Sequence, residues 1–270
     1  MGARLSAPPL LCLHGFMDTS RTWELVLPAL ERHHDVLALT LPGHAGGPAL
    51  PDEIDDAALA DAVERAMDVA GFEMAHLVGN SLGGFVALQL AARGRARSVV
   101  AFAPAGGWAR GDESWHELLR LQSSIHEAAK AAAPYAHALL STPEGRRRAT
   151  QYIAERFEHI PVELLAHQLL GVATCDAARL IEHAEQRITD RPPASPAVPG
   201  WELDAERISC PVRIVWGTED RLLPWPSAAA RFRDEWLPHA DWIELDGVGH
   251  CPQLDVPVEA AQLILGFTAG

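Results

Sequence analysis

The chain predicts an α/β fold: a mainly parallel sheet of about six strands flanked by helices, with a helical insertion near its middle. Three observations carry that expectation. Short apolar runs alternate with segments of helical spacing through the N-terminal part. A serine bracketed by glycines, Gly79-Asn80-Ser81-Leu82-Gly83, falls between one such run and one such helix. The alternation stops near Gly106 and sheet character returns only at Pro211. A length of 270 residues suits one α/β unit with an insertion.

In chain order, strands are expected near 9–13, 35–40, 74–79 and 97–103, with helices near 20–33, 55–71 and 82–93. Alternation of this kind implies parallel strands joined by crossover helices. Ligand sites in such sheets gather at the carboxyl ends of the strands. From about Glu113 to Glu185 the pattern is helical throughout. Trp115, Leu118, Leu119, Leu121 and Ile125 form one apolar stripe, and Tyr152, Ile153, Phe157 and Ile160 a second. Leu164, Leu165, Gln168, Leu169 and Val172 form a third. The proline-rich run Arg191 to Pro199 reads as a linker back to the sheet, and Asp52-Glu53-Ile54-Asp55-Asp56 as a solvated helix start. The expected division is a core of residues 1–105 and 208–270, with residues 106–207 as a cap and linker. The final strands are expected in the run Val212 to Asp220, which ends in an acid, and at Trp242 to Leu245.

The chemistry concentrates at strand ends. Ser81 follows the apolar run Met74 to Val78 and opens the helix that starts at Leu82. A strand-to-helix turn of this form strains the serine backbone and turns its hydroxyl outward. A serine hydroxyl is a weak nucleophile, so a base is required nearby. Asp220 ends the run Val212 to Glu219, and His250 follows Asp246-Gly247-Val248-Gly249. Singly, His250 reads as a turn histidine and Asp220 as a helix cap before Pro224-Trp225-Pro226. As a set in the order Ser, Asp, His, each just past a strand, they read as a nucleophile, an orienting acid and a base. Glu219 is the rival acid.

Five motifs occur together: L-H-G-F at Leu13 to Phe16, L-P-G-H at Leu41 to His44, G-N-S-L-G-G at Gly79 to Gly84, W-G-T-E-D-R-L-L-P at Trp216 to Pro224, and G-H-C-P-Q-L-D-V-P at Gly249 to Pro257. In this order they resemble the α/β-hydrolase superfamily, over about Pro9 to Phe267. Within it the chain is similar to the capped esterases, carbon–carbon bond hydrolases and menaquinone-pathway synthases. The resemblance favours Asp220 over Glu219, since G-x-x-D-x-x-x-P falls on Gly217, Asp220 and Pro224. It also implies an oxyanion hole built from the backbone N–H groups of Leu82 and Phe16. His14 is then a loop brace rather than a base. Strands that many members carry ahead of the His-Gly strand are shortened or absent here, and Ala45-Gly46-Gly47-Pro48 replaces the familiar continuation of L-P-G-H.

Composition sets the bounds. A net charge of -14 with a single lysine, Lys130, argues against a nucleic-acid surface. Cys12, Cys175, Cys210 and Cys251 show no C-x-x-C spacing and are expected as free thiols, with Cys251 partly exposed near the site. No stretch approaches the roughly 18 apolar residues of a membrane span. A soluble cytoplasmic protein without membrane or nucleic-acid partners is expected. His126-Glu127-Ala128-Ala129-Lys130 misses the zinc motif H-E-x-x-H by its last residue and reads as a solvated helix face; no metal or cofactor is expected. His33 and His34 read as a helix terminus. Trp23, Trp108 and Trp115 are candidates to line a substrate pocket.

The expected activity is cofactor-free serine hydrolysis of a carboxylic ester or related small acyl substrate. The alternatives are carbon–carbon bond hydrolysis, synthase-type elimination or perhydrolysis on the same three residues, or a receptor for a small molecule on this fold. An aspartate at the position of Ser81 would instead suit halide release or epoxide opening.

Overall fold

A computed structural model of the chain describes residues 7–51, 57–176, 179–181 and 201–269. The acidic run at 52–56 and the proline-rich run at 191–199 lie outside the described residues. The sheet comprises β1 (Pro9–Leu13), β2 (Asp35–Leu39), β3 (Ala75–Asn80), β4 (Ala96–Phe102), β5 (Val212–Gly217) and β6 (Asp241–Leu245). These six strands are all parallel and lie in the order β2-β1-β3-β4-β5-β6. Among the described residues the sheet has six strands, the number expected from the sequence.

Strand periodicity divides the core into two layers. Leu11, Leu13, Leu77, Val99, Ala101, Ile214 and Trp216 face one side, beside Met67 and Leu88. Leu10, Cys12, Val78, Val100, Phe102 and Val215 face the other, beside Leu30 and Ile264. The first side is covered by α2 (Ala58–Val69) and α3 (Leu82–Ala92), and the second by α1 (Leu27–Leu30) and the C-terminal helix Pro257–Thr268. Near-continuous apolar strands are what a sheet buried on both faces requires.

The helix expected over 20–33 is instead a 3-10 turn at Ser20–Trp23 followed by the single turn α1. Pro28 sits in the first turn of α1 and has no N–H to extend a preceding helix. His34 therefore ends no long helix; it is buried and hydrogen-bonds the Pro8 carbonyl (3.2 Å) and the Thr268 hydroxyl (2.8 Å).

Between β4 and β5 run α4 (Ser114–Ala132), α5 (Ala136–Leu140), α6 (Pro143–Thr150) and α7 (Val162–Thr174). Prolines set their boundaries: Pro134 follows α4, Pro143 opens α6 under a Thr142 cap, and Pro161 precedes α7. The stripe of Tyr152, Ile153, Phe157 and Ile160 is not a helix. Residues 151–160 form successive turns, because the amides of Glu155 and Arg156 donate to the carboxylate of Asp255 rather than to a helical carbonyl. His126 is not on a solvated face either; its Nδ1–H donates to the Val172 carbonyl (2.9 Å), tying α4 to α7. Among the described residues no helix is long and apolar enough to cross a membrane.

Candidate active site

Parallel strands bring the loops after β1, β3, β5 and β6 to one edge of the sheet. Ser81 follows β3 directly, at φ 54° and ψ -117°. Such backbone is sparsely populated for a residue with a Cβ, costs on the order of 1–3 kcal/mol, and persists only where the surroundings fix it. Here the Ser81 N–H donates to the Phe102 carbonyl (2.9 Å), and the Ser81 carbonyl accepts from Phe85 (3.1 Å) and Ala105 (3.1 Å). The flanking glycines are required by close approach. A Cβ on Gly79 would strike the Gly83 carbonyl, and one on Gly83 the Leu13 and His14 carbonyls.

The loop after β5 carries Asp220 and the loop after β6 carries His250. Asp220 Oδ2 accepts a hydrogen bond of 2.6 Å from His250 Nδ1. Asp220 Oδ1 accepts from the N–H groups of Leu222 (2.9 Å) and Leu223 (2.8 Å), so the carboxylate is held on both sides. With the proton on Nδ1, His250 Nε2 carries the free lone pair. Asp220, not Glu219, meets the imidazole. Ser81, Asp220 and His250 are 8%, 4% and 3% exposed, so all three are buried. The Ser81 hydroxyl makes no hydrogen bond among the described residues, the imidazole included. Catalytic hydrogen bonds of this kind are often long until substrate arrives.

Asn80 and Gln253 are the polar residues that the sequence reading passed over. Asn80 Nδ2 donates to the carbonyls of Phe102 (3.2 Å) and His250 (3.0 Å), while its Oδ1 accepts from Gln253 Nε2 (3.1 Å). The residue before the serine thus grips the backbone of the histidine. Both residues stand inside the G-N-S and G-H-C-P-Q motifs, which is the signal that could have flagged them. Cys251 also donates to Asn80 Oδ1 (3.2 Å). The expected partial exposure of Cys251 is incorrect: it is buried, and burial pushes its thiol well above the usual range.

The loop after β1 packs against Ser81; a Cβ on Gly15 would lie 3.2 Å from Ser81 Cβ. Residues 15–18 form a turn closed by Asp18 N–H to Gly15 O (3.3 Å), with Met17 at φ 60°. Among the described residues the N–H groups of Phe16 and Leu82 have no protein acceptor. His14 braces this loop: its Nδ1–H donates to Gly15 O (2.7 Å) and Nε2 accepts from Leu41 N–H (2.9 Å). Burial and neighbouring His44 hold the His14 imidazole down to about 3, so it stays neutral. His44, also held down to about 4 by burial, meets Phe16 edge-on at 5.8 Å. Asp18 was likewise missed. Burial raises its carboxyl to about 6, against the hydrogen bond from Thr19 N–H (2.7 Å) and the field of His250.

Trp23 is fully buried in the core with its ring 6.2 Å from Phe102, and offers no surface to a substrate. Trp108 packs edge-on against Trp201 at 6.2 Å, also within the core. Trp115 stacks on His116 at 3.7 Å at the start of α4. Among the described residues no group of three or more His, Cys, Asp or Glu side chains is placed to hold a metal ion; Lys130, at the last position of the near-zinc motif, pairs with Glu127 (2.9 Å).

Comparison with known proteins returns one consistent group. Residues 10–263 match the model of the alpha/beta hydrolase family. The epoxide hydrolase EphH of Mycobacterium tuberculosis is 34% identical over 215 residues, covering 79% of this chain and 95% of that protein. A pimeloyl-[acyl-carrier protein] methyl ester esterase of Aromatoleum aromaticum is 27% identical over 287 residues, covering 98% of this chain and 100% of its own. In fold, the enol-lactonase from Burkholderia xenovorans is similar with a TM-score of 0.72 at 20% identity, covering 100% of this chain and 94% of that one.

Proposed function

The chain belongs to the alpha/beta hydrolase family and is a hydrolase; from that premise we propose that it is a serine hydrolase, needing no cofactor, that cleaves a carboxylic ester or related small acyl compound beneath a cap formed by residues 106–207. The observation that carries the reading is the buried 2.6 Å hydrogen bond between His250 and Asp220 on the edge where strained Ser81 stands. His250 Nε2 takes the Ser81 proton as Oγ attacks the carbonyl carbon. Negative charge collects on the carbonyl oxygen, where the Phe16 and Leu82 amides stabilise it. The imidazolium, steadied by Asp220, gives its proton to the leaving alkoxide, and the acyl group remains on Ser81. Water, deprotonated by His250, then releases the carboxylic acid and restores the serine.

Similarity to an epoxide hydrolase raises a second reading, and the chemistry of residue 81 opposes it. A serine oxygen that opens an epoxide forms an ether, which has no carbonyl for water to attack. Turnover would stop after one event. A carboxylate nucleophile forms an ester, which hydrolyses.

The test is Ser81→Ala on short p-nitrophenyl esters, beside a panel of epoxides and vinylogous diketones. The expected outcome is ester turnover by the native protein and a loss of at least about 10³-fold in the variant. Native-level turnover without the hydroxyl would overturn the assignment.

A further inference from the structure

The turn segment 151–160 touches both loops that deliver the acid and the base. On the base side, Asp255 is the joint. Its side chain is wholly buried, Oδ2 accepts from the N–H groups of Gly249 (2.7 Å) and Glu155 (2.9 Å), and Oδ1 accepts from Arg156 N–H (2.9 Å). One carboxylate therefore clamps the residue before His250 to two residues of the segment. The clamp is reinforced by Cys251 N–H to Ile153 O (2.8 Å) and by His159 Nε2–H to Leu254 O (2.7 Å). Gly249 packs closely on the segment, since a Cβ there would lie 3.2 Å from Ala154 Cα and from the Ile153 carbonyl. On the acid side, Arg221, next to Asp220, donates to the Gln151 carbonyl (2.8 Å) and pairs with Glu155 (2.8 Å). Phe157 and Ile160 are then buried with Leu164, Cys251 and Leu254.

We infer that segment 151–160 is a strap that sets the register between the Asp220 loop and the His250 loop, with Asp255 as the positioning residue. The inference rests on the catalytic reading of Ser81, Asp220 and His250. Two loops that leave different strands have no covalent reason to hold an imidazole and a carboxylate at 2.6 Å. The loops meet directly through Glu219 N–H to Val248 O (2.9 Å) and Gly247 N–H to Thr218 Oγ1 (2.9 Å), and the strap adds a second tie: it binds the backbone one residue after the base, reaches the residue before it through Asp255, and binds the side chain one residue after the acid. A buried carboxylate that accepts from three main-chain N–H groups, with the Arg156 guanidinium 3.6 Å from its Oδ1, resists displacement, because each freed N–H would be left unpaired. It follows that any movement of the strap also moves the imidazole.

Asp255→Asn tests the joint. The amide keeps one acceptor oxygen and turns an NH₂ group toward an N–H that needs an acceptor. Ester hydrolysis would be measured per active site, counted by fluorophosphonate titration, alongside thermal stability. The expected result is a fall in kcat of about 10- to 100-fold, as for a base misplaced by up to an ångström, with KM within about twofold. Asp255→Glu, which retains both oxygens, is expected to recover part of kcat. Arg221→Ala, on the surface and tolerant of change, releases the strap from the acid side and serves if Asp255→Asn does not fold. It is expected to lower kcat several-fold with little change in melting temperature. Native kcat per titrated site in the folded variants, with only stability altered, would overturn the strap. Activity surviving in Ser81→Ala would instead overturn the catalytic reading beneath it.

Discussion

Ser81 and His250 are held by polar contacts to neighbours that the proposed reaction does not consume. Asn80 joins the elbow to the histidine backbone, and Gln253 joins Asn80 to the Thr22 hydroxyl (3.2 Å). Asp220→Asn is expected to keep this scaffold while presenting the wrong imidazole tautomer, lowering kcat by about 10⁴-fold with KM little changed, as steady-state kinetics would show. Asp18 argues differently. Its folded-state pKa is raised to about 6, above the unfolded value, so the folded state binds the extra proton between about 4 and 6. Stability from this group is greatest below that window and is lost as pH rises through it. Asp18→Asn should therefore raise the melting temperature at pH 7 to 8, and the gain should vanish below about pH 4. At this scale the sequence singled out Ser81, Asp220, His250, Phe16 and Leu82 as candidates, because the motifs fix their spacing. It did not disclose Asp18 or Asn80, whose significance lies in neighbours distant along the chain.

Among the elements, the helices after β4 are organised by their boundaries rather than by long apolar faces. Arg146 in α6 donates through Nη2 to the carbonyls of Phe157 (2.9 Å), Glu158 (2.8 Å) and Ile160 (2.9 Å), stitching α6 to the turn that leads into α7. Arg146→Ala should destabilise this region by about 1–3 kcal/mol, since three carbonyls lose a charged donor, and hydrogen exchange should rise first in residues 157–165. Ester turnover at low temperature would fall less than stability. The stripes of α4 and α7 were legible because helical periodicity is local. The stripe at 152–160 misled because apolar spacing reports burial, not backbone hydrogen bonding. Phe157 and Ile160 are indeed buried, but the amides of Glu155 and Arg156 are taken by Asp255, remote in sequence. Trp23 misled for a related reason: an aromatic near an active-site motif and an aromatic filling the core look alike in sequence.

Across the whole molecule, buried neutral imidazoles set the response to acid. Burial holds His14 down to about 3 and His44 and His76 down to about 4, with like charge from His44 acting on His14 and from His34 and Arg97 acting on His76. Each folded value lies below the unfolded value of about 6.5, so unfolded chains bind more protons in between. The stability these imidazoles contribute is complete above about pH 6.5 and is lost progressively down to about pH 3. Thermal melts across that range should show a steepening fall, and His76→Gln should flatten part of it. The sequence by itself determined the parallel sheet, the helices on both faces and the chain order of the candidate site. Those depend on periodicities of two and 3.6 residues and on turn chemistry, which neighbours in the chain suffice to express. Only the tertiary structure decided how Asp220 is held against the imidazole, that Asp255 lies buried behind the histidine loop and where the segment 151–160 is anchored. Such pairings depend on distances across strands and loops far apart in the chain, and pairwise contacts of that kind leave no periodic trace in the order of residues.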